Sequence, residues 1–134
     1  MPKVMDASAL IAYLRGEQGA EIVESVLMDR NNECTAHAIN LCEVFYDFMR
    51  AENEETALNV IADLSSVGLV IRNDMDFPFW QTAARIKAKY RRVSLADCLA
   101  IALADRLGCE IVTSDHHEFD ALVDQGVCRV MFIR

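Results

Sequence analysis

Short apolar runs alternate with longer amphipathic stretches along this chain, and that alternation restricts the fold more than any other feature. Runs rich in strand-forming residues fall at 3–5, 68–71, 110–113 and 128–133, with a weaker one near 34–36. Stretches of helical character separate them. The runs VGLVI, EIVT and RVMFI are short and uninterrupted, as expected of strands covered on both faces. Strands that alternate with helices imply right-handed crossover connections and a parallel sheet. The expected fold class is therefore α/β: a three-layer α/β/α sandwich around a mainly parallel sheet of roughly five strands.

Two of the helical stretches show a clear polarity. Phe79, Ala83, Ile86 and Tyr90 form an apolar stripe, Arg85, Lys89 and Arg92 share the other side, and Pro78 suits a first helical turn. Leu95, Leu99, Leu103 and Leu107 form a second stripe, with Gly108 as the expected stop. No Gly-rich loop follows the first strand, which argues against a Rossmann or P-loop nucleotide site. The 134 residues show neither a repeat nor a composition break and read as one domain spanning 1–134. A chain of that length buries roughly two-thirds of its unfolded surface.

No run reaches the ~18 apolar residues that a bilayer span requires, and MPKVMDAS lacks the features of a secretory leader. A cytoplasmic location without membrane association is the expectation. The five cysteines are odd in number and form no CxxC pair, so they read as reduced, small apolar core residues. The net charge of -8 argues against binding nucleic acid through overall charge, because phosphate contacts need Lys and Arg on the contacting face. Local distribution differs from the total: Arg85, Lys87, Lys89, Arg91 and Arg92 fall in one short run. That run is either a solvated helix face or an electropositive rim for a phosphate backbone or an acidic partner.

Four acids stand at places a parallel sheet could bring together. Asp6 directly follows the first strand run and Asp115 follows EIVT, so both lie at the carboxyl edge where open α/β sheets bind ligands. Asp97 opens the leucine-striped helix. Glu43 lies on a helix whose Leu41, Val44, Phe45 and Phe48 make the buried face; periodicity therefore sets it opposite, with Asp47 and Arg50. Each has an ordinary structural explanation as well. Ser94 with Asp97 reads as a capping box, Asp115 with Glu118 repeats that spacing, and Glu43 reads as a surface acid. Asp6 is harder to explain so, since an acid ending an apolar strand is costly unless it is hydrogen-bonded, paired or wet.

With these residues in view, the chain resembles a PIN domain, and within that group a VapC-type toxin ribonuclease. The blocks that carry the resemblance are VMDASAL, NLCEVFYDF, SLADCLAIALADRLG and EIVTSD, in that order over essentially the whole length. The resemblance implies a sandwich around a five-stranded parallel sheet and an endoribonuclease dependent on Mg²⁺ or Mn²⁺. It also implies an RNA substrate, frequent homodimerisation and, for such toxins, inhibition by a cognate antitoxin protein. Residue by residue, Asp6, Glu43, Asp97 and Asp115 match the acidic quartet of catalysis and metal binding. Ser8 and Thr113 match the small polar positions that orient those acids. The chain departs from the toxin pattern after the fourth acid. Phe119 comes four residues on rather than three, with His116, His117 and Glu118 between; Asp115, and not Glu118, is the acid expected in the direct role.

Oxygen ligands without Cys or His favour Mg²⁺ or Mn²⁺ over zinc, and such centres hydrolyse phosphodiesters. Adjacent His116 and His117 cannot both face one ion from a single helix, and His37 has no partner visible in sequence. Arg85, Lys89 and Arg92 are the expected contacts to an RNA backbone. Ile22, Val26 and Phe45 would serve either antitoxin docking or core packing. Three other readings stand beside the toxin. A haloacid dehalogenase-type phosphatase would have an acid where this chain has Ser8; a PIN nuclease of RNA processing or decay would look nearly the same; a non-catalytic binding module has no need of four acids.

Overall fold

The computed structural model describes residues 1–134, and its elements alternate as the apolar runs do. Strand β1 (Pro2–Met5) leads into α1 (Ala7–Arg15) and α2 (Ala20–Met28); β2 (Glu33–His37) leads into α3 (Ala38–Ala51) and α4 (Glu54–Ser66). Then follow β3 (Val70–Arg72), α5 (Phe77–Lys89), α6 (Leu95–Leu107), β4 (Glu110–Thr113), α7 (His116–Asp124) and β5 (Val130–Phe132). All pairings are parallel, in the order β3-β2-β1-β4-β5. Strand order therefore reverses at β1, and the crevice that such a reversal opens lies beyond the carboxyl ends of β1 and β4.

The two-residue period of the strands divides the core. Val4 and Ile111 turn to one face, where they meet Phe79, Leu103, Phe119 and Leu122 from α5, α6 and α7. Met5 and Val112 turn to the other, against Leu10, Val23, Leu41 and Leu64 from α1 to α4. Gly19, at φ 94°, allows the C-terminal segment to close on α2: a Cβ there would stand 2.5 Å from the carbonyl oxygen of Ile133.

Three expectations change. The VGLVI run is not covered on both faces, because β3 is an edge strand; Leu69 is buried whereas Val70 and Ile71 are exposed. The leucine stripe of α6 is not a one-sided contact either. Every residue from Cys98 to Ala104 is buried, because neighbouring elements cover this Ala-rich helix all round, while Leu95 at its start is 57% exposed. The cysteines are not uniformly core residues. All five are free, but only Cys34 and Cys98 are buried; Cys109 and Cys128 are half-buried and Cys42 is exposed. Pro78 does sit in the first turn of α5, and Gly108 ends α6 in the left-handed conformation.

Candidate metal centre

Three helices begin at the crevice, and their capping chemistry positions the acids. Asp6 is the N-cap of α1, its Oδ1 accepting from the amide of Ala9 at 2.9 Å. Asp115 is the N-cap of α7 and accepts from the amide of Glu118 at 3.0 Å. Ser94 caps α6 by accepting from the amide of Asp97 at 3.1 Å. The capping explanations of the sequence therefore hold, and the same caps deliver carboxylates to one place. The positive ends of three helix dipoles face that place, which favours negative charge there.

The cap of α6 departs from an ordinary capping box. There the third helical residue accepts from the amide of the capping residue. Here the Ser94 amide donates instead to Glu118 Oε2, at 3.4 Å, from another helix. Asp97, Asp115 and Glu118 bring one carboxylate oxygen each to within 4.8 Å of one another. Burial pushes the Asp97 carboxyl well above the usual carboxylate range, and the adjoining Glu118 pushes it further. Glu118 is thus a member of the group that the quartet alone does not name. Its signal in the sequence is the extra residue between Asp115 and Phe119, which turns Phe119 into the core and Glu118 toward Asp97.

Asp6 is placed differently from the other acids. It is 2% exposed, and both its oxygens are engaged: Ser8 Oγ donates to Oδ1 at 2.8 Å and Thr113 Oγ1 donates to Oδ2. Ser8 and Thr113 are themselves 3.1 Å apart and accept from the amides of Ser114 and Asp115, each at 3.0 Å. This hydroxyl network ties the end of β1 to the segment that carries Asp115. Burial raises the Asp6 carboxyl to about 6 against those donors, with a smaller contribution from Asp115.

Glu43 is not the exposed acid that periodicity suggested. It is half-buried, and its carboxyl is raised by burial and then by the charge of Glu118. The reason is that α3 packs on α4 through one side and meets α1 and α6 through another, so its polar face is partly covered. One turn earlier, Asn40 is fully buried; its Nδ2 donates to the Ala96 carbonyl at 3.4 Å, and its Oδ1 has no partner. No lysine or arginine pairs with Asp6, Glu43, Asp97, Asp115 or Glu118. Clustered oxygen donors without an internal counter-charge fit a hard divalent cation.

The histidines stand apart from this group. His116 bonds Asp120 and the Arg134 carbonyl and stacks on Phe132; His37 caps α3 and contacts the Asp74 carbonyl. Of the expected backbone contacts, Arg85 and Lys89 lie exposed on α5, while Arg92 borders a cavity beside Glu118.

The family model for the PIN domain matches residues 3–124. The chain belongs to the PIN domain family. Its four acids arise from the strand ends and helices of that fold, and solved structures of similar shape span nearly the whole PIN chain. DNA-bound VapBC from Salmonella typhimurium is 17% identical with a TM-score of 0.76, covering 100% of this chain and 99% of that one. VapBC-1 from nontypeable Haemophilus influenzae is 16% identical with a TM-score of 0.73, covering 99% and 98%. A VapC toxin from Mycobacterium tuberculosis, described as cleaving the sarcin-ricin loop, is 13% identical with a TM-score of 0.71, covering 89% and 94%. No curated protein matches the sequence. No helix is long and apolar enough to cross a membrane.

Proposed function

We propose that this PIN domain is a divalent-metal-dependent endoribonuclease and the toxin of a toxin-antitoxin pair. The observation that carries the reading is the group Asp97, Asp115 and Glu118, gathered without an internal cation at the strand-order reversal. Similarity in shape to VapBC assemblies supports an antitoxin protein as partner, and similarity to a VapC toxin described as cleaving the sarcin-ricin loop supports RNA as substrate. A homodimer, which the resemblance to VapC-type toxins implies, is the expected assembly.

Asp97, Asp115 and Glu118 would hold Mg²⁺ or Mn²⁺, with Glu43 at the wall of the site and Asp6 behind it. When bound, such an ion supplies charge stabilisation at the phosphoryl oxygens and a water nucleophile near neutral pH. The chain's own part is to fix geometry. Asp6 orients Thr113 and Ser8, whose hydroxyls accept from the amides that set Asp115. Glu118 holds the N-terminus of α6, and with it Asp97, through the Ser94 amide. Asp97 is kept close to protonation by burial and by Glu118, and an incoming cation would displace that proton.

The test is cleavage of structured cellular RNA by purified, partner-free protein in Mg²⁺ or Mn²⁺ against chelator, with Asp97→Asn in parallel. Discrete fragments from the metal-loaded parent alone are expected. Cleavage that persists in chelator or in Asp97→Asn would remove the assignment.

A further inference from the structure

A cavity of about 340 Å³ adjoins the carboxylates, lined on one side by Tyr90, Arg91 and Arg92 and on the other by His117, Glu118 and Leu122. Glu118 belongs both to this cavity and to the acidic group, so whatever fills the one lies directly beside the other. We propose that the cavity holds one unpaired nucleotide of the RNA, next to the phosphodiester that is cut. In this arrangement the base stacks on Tyr90 and the backbone phosphate meets Arg91 and Arg92. The proposal rests on the ribonuclease reading and names how that site would choose its position on the strand.

Four observations favour this occupant. First, Arg91 and Arg92 are exposed guanidinium groups without an acidic partner, on a chain of net charge -8. Unpaired cations beside an acidic centre suit a polyanion that spans both. Second, the segment that carries them is held in place: Lys87 Nζ donates to the carbonyls of Arg91 at 2.9 Å and Val93 at 2.6 Å. Third, the Tyr90 hydroxyl donates to Gln125 Oε1 at 3.1 Å, which fixes the ring as a platform, and Lys89 Nζ lies 5.3 Å from its centroid. Fourth, the volume is at the lower end of the roughly 300–1,000 Å³ of small-ligand sites, room for one nucleotide and not for a duplex. Aromatic platforms with adjacent cations are how unstacked bases of single-stranded loops are held.

The test uses the full chain in an Asp97→Asn background, so that RNA is bound and not consumed, with Mg²⁺ present. Binding of a fluorescent single-stranded oligoribonucleotide of mixed sequence is read by anisotropy over a range of salt. Tyr90→Ala is expected to weaken binding about tenfold, while Tyr90→Phe, which keeps the aromatic face and loses only the bond to Gln125, should weaken it by no more than about twofold. Arg92→Gln should lower the slope of log K against log salt by about 0.7, the share of one phosphate contact on a single strand. Arg129→Gln, at a residue that does not line the cavity and bonds the Gly108 carbonyl, should change little. In the catalytically intact chain, Tyr90→Ala should shift or blur the cleavage positions while metal-dependent hydrolysis of a small aryl phosphodiester persists. Parent-like affinity and cleavage positions in both Tyr90→Ala and Arg92→Gln would overturn the proposal and leave the cavity to a protein segment. A parent that never hydrolyses phosphodiesters, yet whose RNA affinity falls in these variants, would end the nuclease reading and keep the cavity as an RNA site.

Discussion

The two ends of α6 handle acidic charge in opposite ways. At its first turn Asp97 meets Asp115 and Glu118 with no basic side chain among them. At its last turn, about 13 Å away along the axis, Arg106 donates to Asp74 and, through both terminal nitrogens, to Asp76. Arg72 adds two more bonds to Asp74. The carboxyls respond accordingly: the Asp74 carboxyl is held far below the usual range by Arg72 first and Arg106 after it, whereas Asp97 is pushed far above it by burial and Glu118. Acids neutralised inside the protein serve the fold. Acids gathered without a cation cost stability, and they do so where an external cation can be bound.

The contrast breaks most visibly if the first end is neutralised. Asp97→Asn should reduce metal-dependent RNA cleavage by at least about 100-fold, since losing even an outer-sphere partner costs up to that much. The same variant should melt at a higher temperature than the parent in chelator, because a buried carboxyl and its repulsion with Glu118 are gone. A lower melting temperature together with intact cleavage would show that Asp97 is a structural acid like Asp74.

Next in size is the response to metal. Mg²⁺ or Mn²⁺ at about 100 times its dissociation constant should stabilise the parent by about 2.7 kcal/mol. The melting shift should largely vanish in Asp97→Asn and survive in Arg106→Ala. An equal shift in all three proteins would place the ion elsewhere.

The second end is tested by Arg106→Ala, which leaves Asp74 and Asp76 with fewer partners and removes a guanidinium lying 5.1 Å from the Phe79 ring centroid. Its melting temperature should fall by a few degrees with cleavage retained, which circular dichroism and the RNA assay would read together. Loss of activity at unchanged stability would contradict the division.

The smallest effect is a pH trend of opposite sign for Asp6, behind the first end, and Asp74 at the second. Asp6 has a folded value of about 6, above the ~3.9 of an unfolded chain, so its contribution is present in acid and lost as pH rises through about 6. Asp74 is depressed; its contribution is full above the unfolded value and is lost only as pH falls toward its own lower one. In chelator the urea midpoint should therefore decline from pH 5 to pH 7, and saturating metal should flatten that decline. A midpoint that rises over this interval in chelator would show that the buried acids do not govern it.

Much of this was legible along the chain. The strand runs, the Pro78 start, the Gly108 stop and the caps Ser94 and Asp115 are local, since each depends on residues within one turn. Asp6 could be singled out because an acid ending an apolar strand needs an explanation. Glu118 was only half visible, as an extra residue before Phe119. The cover over Glu43, the exposure of Leu95, Val70 and Ile71, and the cavity at Arg91 and Arg92 depend on which elements become neighbours.

By itself, then, the sequence determined the alternation of strands and helices, the boundary acids Asp6, Asp97 and Asp115, and a family resemblance that the PIN domain match bears out. Periodicity and capping act over a few residues and can be read from them. Only the tertiary structure decided that Ser94 is capped from α7 rather than by Asp97, that Asp6 lies behind the other acids on two hydroxyls, and that α6 carries an unpaired acidic group at one end and an ion-paired one at the other. Those outcomes rest on contacts between residues far apart in the chain, and a carboxylate's charge state is set by the neighbours it meets in space.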